Sequence, residues 1–278
     1  MKKYLIPVLI AFAGVSTANA QDSTVVLPSS LQVRLSYESH ALQSGRDFDV
    51  TQFLMSPSVF FNHRSGVYAG ASALYLSESD PAFSQVNFSL GCGRALTDNW
   101  YASMGYSYSL YPEGAESPLP HAISAGLSFT RGKISGSMNY YFLFGAEKAH
   151  QLTPGVSAYF EKGLKKGCFS FSPGVSATFG TANVPLSRFS EPLFQRGTGV
   201  LWENRDQFLM AKFPRRAAED RNVFGLMSVQ AFLPLQYAVN RLSLELSLNL
   251  VQPVELKNEG YEKLEPSIYL GAAVQYRI

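Results

Sequence analysis

Between Arg241 and Leu250 the chain reads Arg-Leu-Ser-Leu-Glu-Leu-Ser-Leu-Asn-Leu. Every leucine falls on one parity and every polar residue on the other. Side chains on a β-strand alternate between faces, so this stretch presents one apolar wall and one polar wall. A helix would scatter the leucines around its circumference. The apolar wall faces a protein core in a soluble sandwich. In a membrane barrel it faces lipid, and the polar wall lines a lumen.

The pattern recurs along the chain. Leu31, Val33, Leu35 and Tyr37 alternate with Gln32, Arg34, Ser36 and Glu38. Val86, Phe88, Leu90 and Cys92 alternate with Gln85, Asn87, Ser89 and Gly91, and Ile268 to Ile278 closes the chain in the same way. Twelve such segments are predicted: 31–39, 51–62, 66–77, 84–95, 100–111, 121–131, 133–144, 153–163, 168–180, 223–237, 241–252 and 266–278. Most have the roughly ten residues a tilted strand needs to cross a bilayer. Strands of soluble proteins run nearer five or six. Pro57 and Pro173 fall inside these segments and predict bulges or shifted boundaries, whereas Pro154 and Pro266 predict strand starts.

The connections alternate too. His63–Ser65, Leu96–Asn99, Gly132, Leu164–Gly167 and Ala238–Asn240 are tight, whereas 40–50, 78–83, 112–120, 145–152, 181–222 and 253–265 are longer. Short turns therefore gather at one end and long loops at the other. With this even strand number and turn pattern, the chain resembles the outer-membrane β-barrel superfamily of Gram-negative bacteria over about 31–278. The resemblance implies an all-β fold, a transmembrane antiparallel up-and-down barrel of about 12 strands with both termini periplasmic. It also implies outer-membrane lipid and, during insertion, the barrel-assembly machinery as partners. The last strand is similar to the signal that machinery reads, with Tyr276 and a terminal Ile278. Aromatics gather near strand ends, as interfacial girdles would require: Phe60, Phe61, Trp100 and Tyr101 by short turns, Tyr108, Tyr111, Phe142 and Phe144 by long loops.

The N-terminus points to the same compartment. Lys2 and Lys3 precede an apolar run from Tyr4 to Val15, then small residues ending Ala18-Asn19-Ala20, which is the layout of a secretory signal peptide over 1–20. The run is too short for a spanning helix, which takes about 20 apolar residues. The barrel is thus expected over 21–278. Of the 23 lysines and arginines only Lys2 and Lys3 lie in the leader, leaving 21 bases against 21 acids. That balance argues against nucleic acid as a partner. Cys92 and Cys168 lie on opposite parities of distant strands and are expected to be unpaired.

Catalysis by a strand-borne serine needs a histidine two residues away. Only His63-Arg64-Ser65 has that spacing, in a turn on the periplasmic side. His121 has Ile123 two residues on, and His40 and His150 fall in predicted loops. No enzyme, metal or cofactor site is expected; Asp47, Asp49, Glu78 and Asp80 read as solvated loop acids. The polar wall suggests transport instead. Gln32, Arg34, Glu38, Arg241, Glu245 and Asn249 are the candidates for lining a lumen, among serines and glycines small enough to leave room for water. The leading expectation is a porin-like passive channel for small hydrophilic solutes. The alternative is a closed barrel, filled by inward residues such as Tyr68, Leu74, Tyr141, Phe232 and Arg277, that binds a partner or serves structure through loop 181–222. Within that loop, Val200–Trp202 and Phe208–Met210 flank polar 203–207 and predict a small hairpin or helix.

Overall fold

The computed structural model describes residues 29–40, 53–77, 83–112, 119–181, 192–195, 199–202, 224–256 and 265–278. The leader expected over 1–20 lies outside them. The first half contributes β1 (Ser30–Glu38), β2 (Leu54–Asn62), β3 (Val67–Leu76), β4 (Phe83–Ala95), β5 (Trp100–Leu110), β6 (His121–Arg131) and β7 (Ile134–Phe144). Then follow β8 (Lys148–Ala158), β9 (Phe160–Leu164), β10 (Gly167–Phe171) and β11 (Gly174–Thr181). After β12 (Pro192–Gln195) and β13 (Gly199–Trp202) come β14 (Phe224–Val239), β15 (Leu242–Pro253) and β16 (Ser267–Arg277).

β8 and β9 form one stave broken at Tyr159, and β10 and β11 another broken at Ser172 and Pro173. Counted so, the sheet has twelve antiparallel staves, each paired to its neighbours in sequence order. The last meets the first, Gln32 opposite Arg277 through Glu38 opposite Gly271. The sheet is a closed up-and-down barrel, so no stave leaves a full row of backbone donors and acceptors unpaired. Gly66 and Gly132, with φ of 88° and 61°, and Asn240 at 53° sit in short connections. These are the residue types that enter the left-handed region at least cost.

Alternation sorts the side chains as the sequence predicts. Leu246 is 62% exposed on the outer wall, whereas Gln32 on the inner wall is 1% exposed. Outward aromatics form a band at the long-loop end, where Tyr108, His121 and Phe144 stack with centroids 5.0 and 5.1 Å apart. At the short-turn end Trp100 meets Phe129 at 4.9 Å and Phe160 stacks on Phe171 at 4.7 Å. Phe60 and Tyr101 depart from the girdle expectation. Phe60 is buried on the inner wall and Tyr101 reaches over Gly93, because each has the parity opposite to its outward neighbour, Phe61 or Trp100.

Other boundaries shift for local reasons. The predicted loop 145–152 shortens to a turn, closed by Gly145 N–H donating to Glu147 O at 3.0 Å. From Lys148 onward the chain already alternates, and Phe144 to Asn139 pair with Lys148 to Thr153. Pro154 is therefore interior to β8 rather than its start, and Pro266 directly precedes β16. Pro173 breaks its stave. Pro57 makes no bulge: the β2–β3 ladder lapses at Ser56 and Pro57 and resumes in the same register at Ser58. In the long connection, Val200–Trp202 pairs upstream with Pro192–Phe194; Phe208–Met210 lies outside the described residues.

If the leucine wall meets hydrocarbon, a charge on it is penalised by depth. We expect Leu246→Arg to destabilise the folded barrel by about 2–4 kcal/mol, and Leu242→Arg, beside a short turn, by roughly 0–1 kcal/mol. Reversible urea titration in lipid bilayers measures both.

Candidate functional site

The inner wall gathers polar side chains from every part of the chain. Arg34 on β1 and Glu245 on β15 meet across the intervening β16, Nη1 to Oε2 at 3.3 Å and Nη2 to Oε1 at 3.5 Å. The reach is possible because β16 presents small residues inward there. Ala273 lies in register with both Ser36 and Glu245, and Gly271 with Glu38 and Ser247. The side chains are 4% and 18% exposed. A two-pronged guanidinium–carboxylate contact is among the stronger ion pairs, and removing one partner from a buried pair leaves an uncompensated charge.

The neighbouring groups extend this cluster. Gln275 Nε2 donates to Gln32 Oε1 at 3.3 Å, Asn249 Nδ2 to Ser247 Oγ at 3.2 Å, and Gln230 Nε2 to the Tyr269 hydroxyl at 3.0 Å. Glu38 ends β1 at the long-loop end, half-buried. Arg241 differs from expectation: it stands in the short turn before β15, exposed, with its carbonyl accepting from Arg277 N–H at 2.8 Å. The predicted strand began one residue too early, so Arg241 stands in the turn at the short-turn end of the barrel.

A second buried network on β4 and β5 was not among the six candidates. Ser109 Oγ donates to Asn87 Oδ1 at 2.8 Å, and Gln85 Nε2 contacts both Ser109 Oγ, at 3.0 Å, and Asn87 Oδ1. Parity alone places all three inward; the partnership of Gln85 with Ser109 needs the register, which opposes Asn87 and Ser109.

The expectation that inward glycines leave free room is corrected at several positions. A Cβ on Gly70 would strike the ring of Phe60, on Gly91 that of Tyr68, and on Gly174 that of Phe232. Each of these pairs stands directly opposed in register. Glycine is required there because an aromatic side chain from the next strand occupies the space a Cβ would take. Towards the long-loop end the interior turns apolar. Leu54, Leu74 and Leu76 form one buried cluster, and Leu119, Ala122, Leu143 and Ala149 another, with Tyr141 packed against it.

The histidines pair locally. His63 Nδ1 lies 2.8 Å from Ser65 Oγ and also accepts from Ser65 N–H at 3.3 Å, an exposed turn contact. His121 Nδ1 lies 2.8 Å from the Tyr106 hydroxyl. His150, expected in a loop, stands on β8 with Nδ1 at 2.7 Å from the Tyr140 hydroxyl. His121 and His150 thus repeat one unit of the outward aromatic band. Cys92 and Cys168 are not joined in a disulfide, and Cys168 Sγ donates to Glu161 Oε1 at 3.0 Å. Among the described residues no three metal-ligating side chains converge.

No family model matches the sequence, and no curated protein is detectably similar to it. Solved barrels resemble it in outline. The KdgM porin superimposes with a TM-score of 0.48 at 10% identity, covering 89% of this chain and 98% of that one. The NanC porin gives 0.47 at 11%, covering 89% and 100%. An outer membrane channel from Pseudomonas putida F1 gives 0.41 at 9%, covering 94% and 99%. At such scores and identities these likenesses carry no information about function.

The ion pair makes a direct prediction. Arg34→Met strands the Glu245 carboxylate and should cost about 3 kcal/mol, while adding Glu245→Met should recover much of that loss. A double-mutant cycle by urea titration reads the coupling.

Proposed function

We propose that the chain is an outer-membrane barrel of a Gram-negative bacterium that forms a narrow, porin-like passive channel for small hydrophilic solutes. The observation that carries this reading is polar chemistry on the inner wall that the protein does not fully satisfy. Asn249 Oδ1, Gln275 Oε1 and both polar atoms of the Asn62 side chain are buried without a protein hydrogen-bond partner. A buried unpaired polar group costs about 1–3 kcal/mol, and ordered water removes that cost. Admitting water along this wall would give these atoms the partners the protein withholds, and the Arg34–Glu245 pair gives its mid-section charge of both signs.

The wall also supports a narrow bore. Gln32, Arg34 and Asn249 are all buried, and aromatic rings lie over inward glycines. Solutes the size of a hydrated ion fit this reading better than large ones. The apolar outer wall supports residence among lipids. The chain is proposed to be non-catalytic: the His63–Ser65 pair has the local bonding of a turn.

The same burial favours a second reading, a closed barrel that works through loop 181–222, of which Thr181 is the last residue of β11. One experiment separates the two. Thr181 and Phe224 face each other in register, so a tight turn can replace 182–222 without pulling β11 from β14. In planar bilayers we expect small discrete conductance steps from the intact protein and larger ones after the replacement. Silence from both proteins, folded by gel migration, contradicts the channel and favours the closed barrel.

A further inference from the structure

The outer wall is not uniformly convex. A groove of about 580 Å³ runs over β7, β8, β11, β14 and β15. Its walls are Ile134, Val156, Val175, Leu248 and Leu250, all exposed outward side chains. Its floor is low because the rows between them carry small or broken positions. Ala158 faces Ile134 in register, Ala231 faces Val175 and Leu250, and Pro173 interrupts its stave beside Ala158. The volume is that of a small-molecule site, about 300–1,000 Å³.

The end of the groove nearer the short turns is basic and aromatic. Ile134 pairs with Arg131 on β6, which is exposed. Lys133 places its ammonium 5.4 Å from the centroid of the Phe160 ring, which stacks on Phe171 one outward row beyond Ala158. Lys162 follows on β9, opposite outward Phe169. The acid on that strand, Glu161, alternates to the other face, where Tyr159 and Cys168 both donate to its carboxylate. Ala158 to Lys162 is four residues, about 13 Å of strand.

We propose that this groove is a binding site for an acidic phospholipid of the leaflet nearer the short turns. One acyl chain lies along the Ala158–Ala231 floor, and the phosphate-bearing headgroup rests among Arg131, Lys133 and Lys162. Charge chooses the occupant. A neutral lipid fills the apolar part equally well but gains nothing from the three cations, whereas each basic side chain near an anionic headgroup adds attraction. A second copy of this chain would bring its own Arg131, Lys133 and Lys162 to the same rim under two-fold symmetry and be repelled. The inference rests on the membrane-barrel part of the preceding reading, not on conduction.

The test is native mass spectrometry of the full-length protein, delipidated in detergent and offered phosphatidylglycerol or phosphatidylcholine. We expect phosphatidylglycerol to be retained about tenfold more strongly. Lys133→Glu with Lys162→Glu should erase the preference, Lys133→Arg with Lys162→Arg should keep it, and Ala231→Leu should weaken retention of both lipids. Each variant is scored only where its unboiled and boiled forms migrate differently on a denaturing gel. Equal retention of the two lipids by the folded wild type, an unchanged preference in the glutamate variant, or a dimer in place of a lipid adduct overturns the site. A protein freely soluble without detergent would instead overturn the membrane reading itself, and silence in planar bilayers leaves the lipid site untouched.

Discussion

Hydrocarbon offers no hydrogen bonds, so a chain that crosses it must pair every backbone N–H and C=O within itself. A strand can do so only with a neighbour on each side, and a finite sheet only by closing. The seam between β1 and β16 meets that requirement, running from Gln32 opposite Arg277 to Glu38 opposite Gly271. Leu31 and Ile278 exchange backbone bonds at 3.0 and 2.8 Å beyond it, so the seam extends to that pair. Once the ring is closed, the two-residue period has no freedom left. Slipping any stave by one residue would turn its leucines inward and its serines outward.

That constraint makes the inside a polar core with little room for error. Inner-wall groups cannot all find protein partners, because neighbouring strands deliver them at fixed spacing. The structure resolves this in several ways at different heights. Small residues on β16 let Arg34 reach Glu245 across a whole stave. Glycines on β3, β4 and β11 admit a ring from the next strand. Near the long loops, leucine clusters replace polar pairs. The apolar rim on the loop side narrows the interior, and the proposed function turns on the inner-wall polar atoms below it that find no protein partner.

Much of the architecture was legible in the chain because period-two alternation is a local signal. It survives any arrangement of neighbours, so the twelve staves and their faces could be read directly. What it could not show was pairing across strands. Arg34 and Glu245 were both visible as inward residues, but their contact runs diagonally across β16, past Ala273, and no local pattern shows that. Arg241 was misplaced by a single residue at a boundary, the weakest point of pattern reading. Inward glycines looked like open space because a sequence does not say that Phe60 or Tyr68 lies opposite. His150 was hidden by Gly145 and Glu147, whose turn character was extended too far along the chain. The lipid groove was invisible for the same reason as the ion pair: Ala158, Pro173 and Ala231 are unremarkable alone and make a depression only side by side.

The central claim is that one wall of each stave meets lipid while the other does not. Spin labels placed singly from Leu242 to Leu250, in a protein with Cys92 and Cys168 replaced by alanine, test it in reconstituted membranes. The account predicts that collision with dissolved oxygen rises at Leu242, Leu244, Leu246, Leu248 and Leu250 and falls at every residue between them. Oxygen collision that is uniform along the segment, or water-soluble quencher reaching the leucine positions, would contradict it.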